Sequence, residues 1–350
     1  MVTYWILFFF VVIWMGLIAI QENDEFGRIE ILRFSTRWLF VIVLSLFVGM
    51  FSDIGSLDYE NYVDLLKDTP PVTEWKSEFL KDPFFQALGM MFANSDGSLT
   101  VLTFVTTFLS LGIKMSVLSG KYYKNVFVLA MLFLIGRFFL LHEFTQLRAS
   151  LGIAFITLSV VSAMEKRWFL LIFSLIIAAF THLSTIALLP LVLLICQIIA
   201  KVKLVFLLFT VLAFSILGVI FKDEIFFRLA PYLTGDYLVT ENTVVSFYFI
   251  FKTLVLLTLL FQWKSLSPSM RCALMASVYG LFLTLAFLQN NVLSLRFGEL
   301  TAVFDCICFA YFLKYSFKLE SSYAYSAGLV IAALLYFSST KIVNSVSLTF

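Results

Sequence analysis

Apolar runs of about 15 to 20 residues recur from Tyr4 to Ser339, separated by short polar clusters. Each run can cross the ~30 Å hydrocarbon layer of a bilayer, or most of it. Runs such as Val126 to Ile135 show no alternation of apolar and polar positions, whereas barrel strands alternate over about ten residues. Helices are therefore expected, because backbone groups in lipid must be satisfied within the segment or in a closed barrel. The pattern predicts an all-α polytopic membrane protein with about 12 transmembrane helices (range about 10 to 14). They are placed near residues 3–20, 38–52, 98–118, 126–141, 149–164, 168–181, 183–200, 204–221, 244–263, 272–289, 297–313 and 323–339. A break at Thr181-His182 separates the sixth from the seventh. No long linker, fixed-period repeat or low-complexity tract interrupts the chain, so one transmembrane domain over residues 1–350 is expected. The first apolar run lacks a basic leader and a small-residue cleavage site, and reads as a retained helix.

Charge orients these helices. The odd connections are short and basic, with Arg28, Arg33 and Arg37 in the first and Lys121 and Lys124 in the third. Lys166 and Arg167, Lys201 and Lys203, Lys264 and Arg271, and Lys314 and Lys318 follow in the same pattern. Short basic loops stay in the cytoplasm, so the even loops and both termini are expected outside. So is the long acidic loop between helices 2 and 3, residues 52–97, which carries Asp53, Asp58, Glu60, Asp64, Asp68, Glu74, Glu78, Asp82 and Asp96 against three lysines.

Composition strengthens this picture. The chain is 61% hydrophobic and 13% charged, with 42 phenylalanines, more apolar surface than a soluble core of this size conceals. A net charge of +2 gives no indication of a nucleic-acid partner. The basic loops are too short for a nucleotide site, and no P-loop or dinucleotide turn occurs. An enzyme of this shape needs a substrate already energised and already in the membrane. Cys196, Cys272, Cys306 and Cys308 all fall in apolar segments without metal-binding spacing, and read as small packing residues. No metal or other cofactor is expected.

Four polar groups stand out. His142-Glu143-Phe144-Thr145-Gln146-Leu147-Arg148 crowds an imidazole, a carboxylate, a hydroxyl, an amide and a guanidinium into one short turn at the outer end of the fourth helix. On a helix His142, Thr145 and Gln146 share a face, and Arg137 and Arg148 share another. The group is either a site or an interfacial turn with snorkelling side chains. Thr181-His182 interrupts an apolar tract at the same face. The chain has only two histidines; His182 is either a proton acceptor or a helix-breaking residue. Arg296 enters the eleventh helix from outside, with Glu299 three residues on and placed to hold it. Guanidinium groups present paired donors to phosphate oxygens, so Arg148 and Arg296 together fit a diphosphate; the alternative is interface anchoring. The acidic loop, with Asp58 and Tyr62, suits sugar binding or is a solvated loop. Three further charges lie inside apolar runs. Lys114 is close enough to the inner end of its helix to snorkel. Lys252 and Asp305 each sit about eight residues from an outer helix end, ~12 Å deep, and are expected to pair.

Asp58-Tyr59-x-x-Tyr62, Asp82-Pro83-Phe84-Phe85, Phe144-Thr-Gln-Leu-Arg-Ala-Ser-Leu151 and Phe180-Thr-His-Leu-Ser184 with Leu189-Pro190 follow one another in order. This series resembles the EpsG group of Wzy-type polysaccharide polymerases over roughly residues 45 to 300. The Gln-x-Arg and Phe-x-His-x-Ser elements are its most specific parts. The chain departs from the family pattern in placing Gly55 three residues before Asp58, and in carrying Asp82-Pro83 where a Glu-Pro-like element is usual.

The resemblance implies a GT-C-like membrane glycosyltransferase of the bacterial inner membrane, independent of metal. It would join undecaprenyl-diphosphate-linked oligosaccharide repeat units into O-antigen, capsule or exopolysaccharide at the outer (periplasmic) face. Implied partners are the lipid-linked glycan as donor and acceptor, membrane lipid, a chain-length regulator and a flippase. The expected catalytic residues are Arg148 and Arg296 at the diphosphate, with His182 or Glu143 as base. Asp58, Tyr62, His142, Gln146, Arg137 and Glu299 are expected to bind substrate. Two other readings remain, a flippase for lipid-linked oligosaccharide and an O-antigen ligase. A flippase is expected to place ionisable groups through the depth of a cavity, and not at one face.

Overall fold

The computed structural model describes residues 2–23, 30–55, 58–68, 82–92, 98–199, 201–220, 247–288, 291–316 and 321–347. Among these every regular element is a helix. The first five are α1 (Val2–Asn23), α2 (Glu30–Gly55), α3 (Tyr59–Asp68), α4 (Pro83–Phe92) and α5 (Ser98–Leu118). Next come α6 (Phe127–Phe133), which continues as a π-helix over Leu134–Glu143, then α7 (Leu147–Met164) and α8 (Trp168–Thr181). A 3₁₀ turn, Leu183–Leu188, leads into α9 (Leu189–Ile199), α10 (Leu204–Ile220) and α11 (Phe247–Phe261). The chain ends with α12 (Pro268–Ala286), α13 (Asn291–Glu299), α14 (Ala302–Tyr311) and α15 (Ser321–Ser347).

Among the described residues, six helices are long and apolar enough to cross a bilayer: Phe34–Phe51, Leu99–Leu118, Lys124–Glu143, Leu147–Met164, Pro268–Ala286 and Tyr323–Thr340. Six shorter apolar helices accompany them. Segments α6, α7 and α14 are largely buried and, with the middle of α12, form the interior. Around them, other helices turn an apolar stripe outward. Phe169, Ile172, Phe173, Ile176 and Phe180 do so on α8, and Phe247, Ile250, Leu254, Leu257 and Phe261 on α11. Outward apolar stripes at helical spacing are what a hydrocarbon solvent requires.

Local chemistry sets several boundaries. Ser267 caps α12, its hydroxyl accepting the Met270 N–H at 3.3 Å, and Pro268 takes the first helical position, where a missing N–H costs nothing. The expected helix 183–200 does not start as one α-helix. Pro190 has no N–H to return to the previous turn, and the chain before α9 is a tight 3₁₀ turn. The expected helix 297–313 is split at Leu300-Thr301. There the Gly298 carbonyl accepts from Lys252 Nζ at 3.4 Å and from the Thr301 hydroxyl at 3.3 Å, which draws it out of the helical ladder.

The two halves of that split are held against α12 by reciprocal close contacts. A Cβ on Gly280 would stand 2.0 Å from Thr301 Oγ1, and one on Gly298 would stand 2.2 Å from Thr284 Oγ1. Small residues at such crossings let helix backbones approach without a solvent-driven force. The Ser294 hydroxyl donates to the Thr284 carbonyl at 2.7 Å and ties the start of α13 to α12. This clamp fixes the helix that carries Arg296 and Glu299.

The described parts of the acidic segment 52–97 do not form a solvated loop. They are helical, and α3 and α4 pack onto α5 and α8. Tyr62, Phe85 and Gln86 are buried there. Glu74, Glu78 and Asp96 lie outside the described residues, as do the side chains of Asp53 and Asp68.

Candidate active site

The segment His142–Arg148 is not an interfacial turn. His142, Glu143, Phe144, Thr145 and Leu147 are all buried, and Gln146 and Arg148 are half-buried. The reason lies in the wide helix before it. The Phe144 N–H donates to the Phe139 carbonyl at 3.1 Å and the Gln146 N–H to that of Leu141 at 3.2 Å, both five residues back. Such π-turns rotate the following side chains away from regular helical positions and recur at functional sites. Arg137 and His142 thus lie on the π-helix and Arg148 on α7, so the shared faces expected for a single helix do not form.

The buried helices of the outer segment cover this turn. The Tyr62 hydroxyl on α3 donates to the Thr145 carbonyl at 3.2 Å. Asp82, at the start of α4, receives the Arg148 guanidinium at 2.8 Å on Oδ2 and the Leu183 N–H at 3.3 Å on Oδ1. One carboxylate therefore joins three segments that are remote in sequence. Asp82 adopts φ 72°, a left-handed conformation that few side chains take up. The Arg148 guanidinium also lies 5.9 Å from the centre of the Tyr62 ring. Burial pushes the Tyr62 phenol well above its ordinary pKa, and nearby Asp58 adds to the shift, so it stays a hydrogen-bond donor.

His182 occupies the break after α8 in extended conformation, with φ −155° and ψ 109°. Gly152 of α7 makes room for it: a Cβ there would stand 2.8 Å from Thr185 Cγ2 and 3.3 Å from His182 Cβ. Enclosure lowers the His182 pKa to about 4; the charge of Asp82 opposes the shift, while Arg148, Arg296 and His142 add to it. The lowered pKa keeps the imidazole neutral over a wide pH range, with a ring-nitrogen lone pair free of a proton. Asp82, bonded to the adjacent Leu183 N–H, brings Arg148 to this same turn.

Glu299 does not serve Arg296 alone. Its Oε1 lies 3.7 Å from Arg137 Nη2 and its Oε2 lies 3.5 Å from His142 Nε2. The latter distance exceeds a formed hydrogen bond, and both ring nitrogens of His142 are without one among the described residues. Arg137 is anchored on α15 by Ser339, to which Nη1 donates at 3.2 Å. Arg296, half-buried on α13, acts electrostatically on Glu299 and on His182. Asp58 is half-buried near the mouth and accepts from Asn61 Nδ2 at 3.2 Å.

The structure thus gathers Asp58, Tyr62, Arg137, His142, Arg148, His182, Arg296 and Glu299 into one neighbourhood. Glu143 faces elsewhere. Its Oε1 lies 2.5 Å from Lys114 Nζ and 3.3 Å from the Ser110 hydroxyl, and Lys114 also donates to Ser150 at 2.9 Å. Lys114 therefore does not snorkel toward the inner surface; it is fully buried in this ion pair. Gln146 contributes backbone, its carbonyl accepting the Ser150 N–H at 2.9 Å as α7 begins.

Asp82 is the site residue that composition and spacing missed. The signal was present in the Asp82-Pro83 element, an acid followed by a helix-starting proline, but its partners stand 66 and 101 positions away. Ionisable groups also run deeper than one face, since the pairs Lys114–Glu143 and Lys252–Asp305 lie inside the bundle. The described residues contain no group of three or more His, Cys, Asp or Glu side chains arranged to hold a metal ion. Cys272, Cys306 and Cys308 are buried and form no disulfide, as expected of packing residues.

Fold and site together define a helical, multispanning membrane protein with an arginine- and histidine-bearing cluster covered by helices of its own long loop. Residues 36–349 match the EpsG family, and the chain belongs to it. Family and apolar helices together make it a polysaccharide-polymerase-like membrane protein. No curated protein and no solved structure matches the chain.

Proposed function

We propose that the protein polymerises undecaprenyl-diphosphate-linked oligosaccharide repeat units at the periplasmic face of a bacterial inner membrane. The whole chain acts as one transmembrane unit with both termini periplasmic. One observation carries this reading: Asp82 joins the Arg148 guanidinium to the backbone beside His182, on a turn buried in the bundle.

Arg148 and Arg296 bind the diphosphate of the donor. As the bond from the anomeric carbon to the phosphate oxygen breaks, its electron pair passes to that oxygen, and the guanidinium donors stabilise the charge. Asp82 holds Arg148 from one side and orients its fork. The acceptor hydroxyl attacks the anomeric carbon and gives its proton to His182. Of the two base candidates, His182 is favoured, because Glu143 is committed to Lys114. Arg137, His142 and Glu299 form the inner wall, where the unpartnered His142 nitrogens offer hydrogen bonds to a sugar. Asp58 and Tyr62 lie toward the acceptor, and Gln146 shapes the turn beneath it. The donor brings its own leaving group, so the chemistry runs without a metal or nucleotide. A chain-length regulator and a flippase are the partners such a polymerase works with.

Deleting the chain tests this directly. The expected surface glycan carries a single repeat unit and no polymer. The depth of Lys114–Glu143 and Lys252–Asp305 favours a flippase as the second reading. Lipid-linked repeats retained inside the cell, with none transferred, would establish it and remove the polymerase assignment. An O-antigen ligase would instead leave polymer formed but not transferred.

A further inference from the structure

A cavity of about 1290 Å³ opens at the opposite end of the bundle from the arginine- and histidine-bearing cluster. It lies between the α9–α10 connection and the α11–α12 connection. Lys201, Lys203, Lys264 and Arg271 line it, and no acidic residue does so among the described residues. The three lysines are exposed. Arg271 is held in place: its Nε donates to the Trp263 carbonyl at 3.1 Å, its Nη2 donates to the Lys264 carbonyl at 3.0 Å, and its guanidinium lies 5.4 Å from the Trp263 ring centre.

Apart from Gln262, Ser265 and Ser269, the remaining wall is mostly apolar, with Ile198, Val202, Leu204, Leu260 and Phe261, and it reaches the outer surface of the bundle at Phe261. Phe261 lines the cavity yet is 90% exposed, and it ends the outward apolar stripe of α11. A purely soluble anion would gain nothing from such a wall, and an uncharged lipid would gain nothing from four cations. The combination selects an amphiphile with a negative head and hydrocarbon tails.

We propose that this cavity binds an anionic glycerophospholipid of the leaflet that faces the basic loops. That leaflet is the cytoplasmic one in the topology proposed above. The phosphate sits among Lys201, Lys203, Lys264 and Arg271, and an acyl chain leaves past Phe261. Juxtamembrane basic groups attract anionic headgroups by roughly 1 kcal/mol each near a surface. A cavity adds to this a fixed position and apolar contact. The bound lipid bridges the two connections and braces the inner ends of α10 and α11.

The full-length protein in detergent, titrated with phosphatidylglycerol or phosphatidylcholine and read by native mass spectrometry, tests the site. Wild type is expected to retain phosphatidylglycerol at least about fivefold more than phosphatidylcholine. The double variant Lys203→Gln with Lys264→Gln should lose that preference, and Lys203→Arg with Lys264→Arg should keep it. Lys124→Gln with Lys166→Gln removes the same charge from neighbouring basic loops outside the cavity and should bind as wild type does. Equal loss in both glutamine pairs would reduce the effect to general surface charge and overturn the site. So would equal retention of the two lipids by wild type, or protection from thermal unfolding by inorganic phosphate equal to that by phosphatidylglycerol. Lipid retention is read without polymer synthesis, so this outcome is independent of the enzymatic reading.

Discussion

Lys252 of α11 and Asp305 of α14 form an ion pair with Nζ 2.8 Å from Oδ2, and neither side chain is more than 2% exposed. The Tyr248 hydroxyl donates to the same carboxylate oxygen, and the Gly298 carbonyl accepts from Lys252. A charge left alone at this depth costs several kcal/mol, whereas a pair costs far less without adding net stability over an apolar pair. Lys252→Met and Asp305→Leu singly should each destabilise by about 3 kcal/mol or more. The double variant should unfold at a higher temperature than either single. Thermal unfolding in detergent decides the matter, and a double variant weaker than both singles would show that the pair is not the coupled unit.

The Arg148–Asp82 contact makes a different prediction, because its purpose is orientation. Arg148→Lys keeps the charge but not the planar fork. Polymer formation should fall roughly 100-fold, the order seen when one charge-stabilising donor is removed from an active site. Arg296→Lys should fall comparably. Asp82→Asn should also lower activity, since it frees Arg148 and the Leu183 amide together. Membrane levels of all three should stay near wild type. Near-normal chain lengths in both lysine variants would remove the diphosphate clamp.

Glu143 and His182 should separate by phenotype. Glu143→Gln leaves Lys114 charged among Ser110 and Ser150 with no anion beside it. It should lower folded yield and unfolding temperature, and Lys114→Met should do the same. The double variant Lys114→Met with Glu143→Gln should recover part of the loss. His182→Ala should instead preserve yield and abolish polymer. A folded, inactive Glu143→Gln protein would return Glu143 to the role of base.

Some of this was legible along the chain and some was not. The apolar runs and basic loops locate the helices because hydropathy and charge are local. Lys252 and Asp305 were matched in depth because both helices start from the same face and rise at a known rate per residue. The same counting failed for Lys114 and Glu143, which it set near opposite surfaces. The π-helix and the buried turn after it bring Glu143 level with Ser110, twelve residues into α5 and so ~18 Å along its axis. Depth within a bundle depends on how far each helix protrudes, which no single segment encodes. Asp82 escaped for a related reason. Its pairing is non-local: Asp82-Pro83 marks a helix start, but not the partners 66 and 101 positions away that draw this acid inward.

The pH dependence of polymer formation tests the base directly. An unperturbed histidine titrates near 6.5, and an enzyme that needs it neutral loses activity below that value. In this site burial opposes the imidazolium and the Arg148 and Arg296 guanidinium groups repel it, while Asp82 favours it, so the His182 pKa falls to about 4. The direction follows from the sign. A lowered pKa enlarges the range over which the ring is neutral, so the acid limb of the kcat profile should move down, not up. Activity in detergent should hold at pH 5.5 and fall only as pH approaches 4. Asp82→Asn removes a carboxylate that favours the proton and should push the limb lower still, if enough activity remains to follow it. Arg296→Gln removes a repelling charge and should move the limb upward, toward the ordinary histidine range. An acid limb near pH 6.5 that does not respond to either substitution would exclude His182 as the group that takes the acceptor's proton.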